Sequence, residues 1–194
     1  MRIAESNNIK EITPLLANVF LNDFDLTDNH LINYQQYYTL NESMLGPLGK
    51  YLNNQMSDSE VLCIESDEKR LKIVINDLNY CLMAEEIIRV RGLLLETKNL
   101  KFPCTFLFQD VLHYSINEIE INGQIAEIRD YSVIYNCQIL FDQLIYIDKN
   151  TIEMALVLWK YSEGSGKNYL LLISAGSCSV LELQDEMLHQ LKDG

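Results

Sequence analysis

Glu118-Ile119-Glu120-Ile121-Asn122-Gly123-Gln124-Ile125 alternates acidic and apolar residues up to an Asn-Gly pair, after which an apolar residue returns. Asn-Gly supplies the two positive-φ residues that a type I′ turn needs, so the stretch predicts a β-hairpin. It sits inside residues 102–175, which read as strand after strand. Cys104, Phe106 and Phe108 point one way along one expected strand. Further strands are expected over 131–137, 139–147 and 152–161, the last two joined by the turn composition Asp148-Lys149-Asn150-Thr151. Ile152, Met154, Leu156 and Leu158 face one side; Glu153, Ala155, Val157 and Trp159 face the other. Residues 162–167 read as a flexible hairpin loop leading into 169–175, which is apolar on both faces and so a central strand.

Outward from this meander, 61–65 and 71–75 flank the polar turn Ser66-Asp67-Glu68-Lys69, with Leu71, Ile73 and Ile75 on one face. The β-branched content of 87–95 favours another strand. Thr13-Pro14 opens a helix with Leu15, Leu16, Val19, Phe20 and Phe24 on its face. A second helix starts at Thr27 or Asp28 and buries Leu31, Tyr34, Tyr38 and Leu40; a short one over 47–55 follows Gly46-Pro47. Ser174-Ala175-Gly176-Ser177-Cys178-Ser179 fits a strand-to-helix turn, with Ser177 or Ser179 capping a closing helix over 185–192. Residues 1–57 are expected as a helical subdomain and 58–194 as an antiparallel β-rich domain with a C-terminal helix. The fold class is then α+β: N-terminal helices, then a large, meander-rich, twisted antiparallel sheet of about eight to ten strands that curls or splits into two layers.

Composition narrows the function. The 194 residues are 48% hydrophobic and 22% charged, ordinary for a globular chain, but 15 Lys and Arg against 28 Asp and Glu give a net charge of -13. Such a surface repels phosphate backbones, and the densest basic stretch, Lys69-Arg70-Leu71-Lys72, sits beside Glu65, Asp67 and Glu68. Direct nucleic-acid binding is not expected. Residues 1–12 carry no apolar signal region, and the longest nearly uncharged run, near 169–175, is too short for a bilayer. The five cysteines are widely spread without C-x-x-C spacing, so they read as buried hydrophobes of a cytoplasmic protein.

Candidate chemistry is sparse. Gly164-Ser165-Gly166-Lys167 has Tyr161 and Asn168 where a phosphate-binding loop needs Gly and Ser or Thr, so it reads as a hairpin connection. His30, His113 and His189 fall on three separate elements, and neither a metal nor a cofactor is expected. Glu118 and Glu120 share a strand face, a geometry open to acid–base work or a divalent cation, although a solvated edge is the ordinary use of such a pair. Cys178 would be nucleophilic at a helix N-terminus, but no base lies beside it in sequence, and no Gly-x-Ser-x-Gly elbow exists. No catalytic residue is assigned.

Ser57-Asp58-Ser59-Glu60-Val61-Leu62-Cys63-Ile64-Glu65, with the following turn and 70–76, resembles a segment of small uncharacterised bacterial proteins in which a His-led motif and a hydrophobic strand open a β-rich domain. Phe141-Asp142-Gln143-Leu144-Ile145-Tyr146-Ile147-Asp148 is similar to a later segment of them. Ser57 stands where the His would be. Some such domains are immunity proteins of secreted toxins, and the resemblance implies that role here.

The leading expectation is therefore a non-enzymatic acidic protein-binding module, an immunity or inhibitor protein that blocks a basic partner such as a toxin or nuclease. Its candidate contacts are Asp23, Asp25, Asp28, Tyr34, Tyr37 and Tyr38 on the helices, and Glu118 and Glu120 on the hairpin. The alternative is a hydrolase-type enzyme, which requires two or more of His30, His113, Glu85, Glu86, Asp110 and Cys178 to line one pocket. A structural subunit would instead show a contiguous apolar patch. Nothing in the sequence sets the oligomeric state.

Overall fold

Residues 8–12, 28–52, 56, 59–77, 103–162 and 165–182 are described by the structure, a computed structural model. Period-two alternation builds its sheet. Leu71, Ile73 and Ile75 on β2 (Arg70–Asp77) and Cys104, Phe106 and Phe108 on β3 (Cys104–Ile119) are all fully buried. They meet across an antiparallel pair, Leu71 opposite Phe108 and Ile73 opposite Phe106. The other strands are β1 (Ser59–Ser66), β4 (Ile125–Ile128), β5 (Cys137–Ile147), β6 (Ile152–Ser162) and β7 (Ser165–Glu182).

The strand order is β2-β1-β5-β6-β7-β3-β4, and β2 also pairs with β3, so the first six strands close into an antiparallel barrel. Closure leaves β4 as a short extension along the far half of β3 and gives the other strands neighbours on both sides. Met154, Leu156, Leu158, Leu171 and Ile173 line the interior with the β2 and β3 residues. The opposite face of β6 and β7 is buried too: Ala155, Val157, Leu170 and Leu172 pack with Ile9 of the short helix α1 (Ile9–Ile12). Ile9 N–H donates to the Gly123 carbonyl at 2.9 Å, tying α1 to the β3–β4 turn.

The seam of the barrel lies between β1 and β5, which pair only at Glu60–Gln138 and Val61–Cys137. Helix α2 (Asp28–Leu45) reaches the β5 side of that seam at two points. Leu144 N–H donates to the Tyr34 hydroxyl at 3.2 Å, and Ile147 N–H to the Tyr37 hydroxyl at 3.0 Å. Two β5 donors that would otherwise be orphaned are thereby satisfied. Tyr38 donates to the Gly49 carbonyl at 2.5 Å, holding α2 to a 3-10 turn (Gly46–Lys50) after which Tyr51 and Leu52 enter the core.

The α+β expectation is overturned. The described chain is mostly antiparallel sheet with a single long helix of 18 residues, and its seven described strands curl into a closed wall instead of splitting into two layers. Residues 131–134 form a 3-10 turn instead of a strand, because the Asp130 side chain accepts from Ser132 N–H at 3.0 Å and caps it. Residues 174–179, expected as a turn into a helix, instead lie within β7, whose residues 177–182 pair with 104–109. Leu40 is 79% exposed, since α2 turns Tyr34, Tyr37, Tyr38 and Leu45 inward instead. Within the expected hairpin loop over 162–167, Ser162 pairs with Ser165, where β7 begins. Tyr38, Leu45 and Leu48, from the expected helical subdomain, share one core with the strands. The helix expected from Thr13-Pro14, the strand expected over 87–95 and the closing helix over 185–192 lie outside the described residues.

Candidate functional site

Two hairpin tips stand side by side because the pairing of β3 with β7 ends at Glu118–Tyr169 while both strands run on. Between them opens a cleft of about 640 Å³ whose walls include Glu118, Glu120, Ile121, Gly166, Lys167 and Asn168. The β3–β4 turn is not the expected type I′. Gly123 N–H donates to the Glu120 carbonyl at 2.8 Å and Glu120 N–H to the Gln124 carbonyl at 2.9 Å. Of the Asn-Gly pair only Gly123 takes a positive φ, 83°. Asn122 instead uses its side-chain oxygen to accept Gln124 N–H at 2.9 Å, the local bond that makes Asn a turn residue. This moves Ile121 to the centre of the turn and leaves it fully exposed at 101%.

Charge is concentrated at the same place. Glu118 Oε1 lies 2.8 Å from Lys167 Nζ, and this hydrogen bond holds the ammonium above its ordinary pKa. Lys160 faces Lys167 across β6 and β7 and turns its ammonium to the Val133 carbonyl at 2.8 Å. On the other side of the β6–β7 hairpin Trp159 lies against Gly166, where an added Cβ would meet its indole nitrogen at 2.2 Å. The Trp159 and Tyr161 rings are 5.9 Å apart, with Tyr161 71% exposed. Exposed Ile121 thus stands in the cleft with the two carboxylates, while Tyr161 is exposed on the other face of the β6–β7 hairpin.

A smaller cleft of about 350 Å³ at the β1–β2 turn is lined by Glu65, Asp67, Arg70 and Lys72. Its charges are already matched: Arg70 with Asp67 at 2.6 Å and Lys72 with Glu65 at 3.0 Å. The Arg70 hydrogen bond holds the Asp67 carboxyl below the usual range. Gln35, Gln36, Thr39 and Leu40 border a shallow groove on α2.

No family model, curated protein or solved structure matches the chain.

Of the residues singled out by the sequence, the structure brings Glu118 and Glu120 into one cleft with Lys167. Tyr34, Tyr37 and Tyr38 point into the seam, where burial, and the Asp142 charge after it, raise the Tyr34 phenol; burial and then Glu42 raise that of Tyr38. Asp28 begins α2; Asp23, Asp25, Glu85 and Glu86 lie outside the described residues. Asp110, His113 and Cys178 line none of the three clefts. Among the described residues no group of three or more His, Cys, Asp and Glu is placed to hold a metal, and no helix is long and apolar enough to cross a membrane. Exposed Ile121 and Tyr161 were not singled out by the sequence, since alternation gives a residue's face but not whether that face is covered.

Cys178 sits in mid-strand opposite Phe108 rather than at a helix N-terminus, and burial pushes its thiol well up. Each pH unit of such a rise cuts the thiolate fraction tenfold. Iodoacetamide at pH 8, followed by peptide mass mapping, is expected to label Cys178 in the folded protein more than about tenfold more slowly than free cysteine. Labelling at the free rate would restore the nucleophile.

Proposed function

We propose that this chain is a non-enzymatic protein-binding module that receives a basic partner at its hairpin tips, in the manner of an immunity or inhibitor protein. The observation that carries the reading is the placement of Glu118 and Glu120 in one cleft beside exposed Ile121. Apolar anchors ringed by charge are the usual seat of binding energy in an interface. A net charge of -13 steers a basic surface toward the protein and rejects acidic competitors. The resemblance of the 57–76 segment to β-rich bacterial proteins, some of them immunity proteins, agrees with it.

The test is affinity capture of partners from the host's lysate at low and moderate salt, using tagged wild type and a Glu118→Lys/Glu120→Lys/Ile121→Ala variant. One stoichiometric basic partner is expected, held less tightly as salt rises and at least about tenfold more weakly by the variant, which corresponds to about 1.4 kcal/mol. No partner at either salt, or equal binding by the variant, would overturn the reading.

A further inference from the structure

Glu153 lies between Ile152 and Met154, whose side chains enter the barrel, so its own projects from the outer face of β6. That face is closed over at this point: Glu153 is 2% exposed and Ser174, opposite it on β7, is 0% exposed. A carboxylate at this depth is ordinarily matched by a cation or ringed by donors, because an unpaired buried charge is strongly destabilising. Among the described residues Oε1 accepts one hydrogen bond, from the Ser174 hydroxyl at 3.3 Å, and Oε2 has no partner. Tyr146, the cross-strand neighbour on β5, donates its phenol proton to Asp148 at 2.8 Å.

A second buried oxygen without a partner is Gln143 Oε1. Gln143 pairs with Ala155, two residues from Glu153 along β6 and on the same face. It is therefore the diagonal neighbour of Glu153, within reach of long side chains. Among the described residues these two are the only buried side-chain oxygens left unmatched, and the register puts their residues on one face, one diagonal apart across the bulge between Leu144 and Tyr146. Two unmatched acceptors at diagonal positions of one face call for a positively charged or proton-donating occupant, and another acceptor cannot serve.

We propose that Glu153, Gln143 and Ser174 form a buried site for one alkali cation, Na⁺ or K⁺. The donors are carboxylate, amide and hydroxyl oxygens, the set that suits hard cations rather than zinc or copper. One carboxylate balances one positive charge; a divalent ion would leave a net charge in a place closed to water, at heavy desolvation cost. Ser174 can keep its donated bond to Oε1 while offering a lone pair to the ion. The site lies apart from the tip cleft and does not depend on the partner-binding reading.

The experiment compares thermal unfolding of the full chain in sodium, potassium and N-methylglucamine chlorides at equal ionic strength. A cation bound to the folded state alone raises Tm by about 3 °C or more when its free concentration is about ten times its Kd. At least one alkali salt is expected to give that rise over N-methylglucamine, and Glu153→Gln, which keeps the shape and removes the charge, is expected to abolish it. The sodium NMR line of a wild-type solution should broaden on addition of protein and stay broadened in excess N-methylglucamine chloride, which displaces the loosely held counterions of a chain of net charge -13. Equal Tm in all three salts with no broadening of the sodium line would overturn the proposal, as would an alkali-specific rise that survives in Glu153→Gln.

Discussion

Phe106→Ala is expected to destabilise the protein by about 3–5 kcal/mol, enough to lower Tm by roughly 10 °C in a chain of this size. Phe106 is fully buried, faces Ile73 on β2 and Val180 on β7, and meets the Tyr51 ring edge-on at 5.5 Å. It therefore joins the barrel wall on both sides to the segment that follows α2. Truncation removes the transfer energy of the ring and leaves a cavity. The cavity cannot readily collapse, because β3 is hydrogen-bonded to β2 and β7 along this stretch and neither strand can move inward alone. Urea unfolding should show the loss as a lower midpoint at unchanged slope. Leu112→Ala, on the same strand but 62% exposed, should stay within about 0.5 kcal/mol of wild type. A loss below about 1 kcal/mol for Phe106→Ala would mean that the barrel interior is not the main source of stability.

What the sequence made legible was whatever is encoded at short range. Leu71, Ile73 and Ile75, and Cys104, Phe106 and Phe108, announce strands because side-chain direction repeats every two residues and only one face is buried. Barrel closure was not legible, since it rests on β2 meeting β3 across the intervening chain and no local pattern specifies that. The 131–134 turn was misread for a different reason. Tyr131, Val133 and Ile134 carry strand propensity, but the Asp130 cap outweighs it locally. Residues 174–179 were misread because small polar residues look like a turn until a partner strand is known.

The candidate site divides along the same line. Glu118 and Glu120 were visible as a pair on one hairpin, and Lys167 as part of another loop. Their assembly depends on the β3–β7 register, which fixes where the two strands part. The Tyr34, Tyr37 and Tyr38 tract was visible as a helical face. The carbonyl and amide groups that its hydroxyls reach were not, and these give the tract a structural use.

That use makes the seam the second place where a small change should have a large effect. The double variant Tyr34→Phe/Tyr37→Phe keeps both rings and removes only two oxygens. Each oxygen accepts a backbone N–H of β5, at Leu144 and at Ile147. Without it the amide faces the edge of an apolar ring, and an orphaned buried donor costs about 1–3 kcal/mol. The expected total is about 2–4 kcal/mol, with departure from additivity because both residues lie on one helix and brace one strand. Tyr34 should contribute more, since Leu144, whose amide it accepts, is almost wholly buried. Hydrogen exchange separates this from a general loss of stability. The Leu144 and Ile147 amides should exchange faster by a larger factor than those of Leu171 and Ile173 on β7, which report global unfolding. The reason is geometric: β1 grips β5 at only two positions, so once α2 loosens, the barrel opens along that line before any other strand pair separates. Equal acceleration at all four amides would show that α2 is not the closure of the seam and that the few bonds between β1 and β5 hold the barrel shut alone.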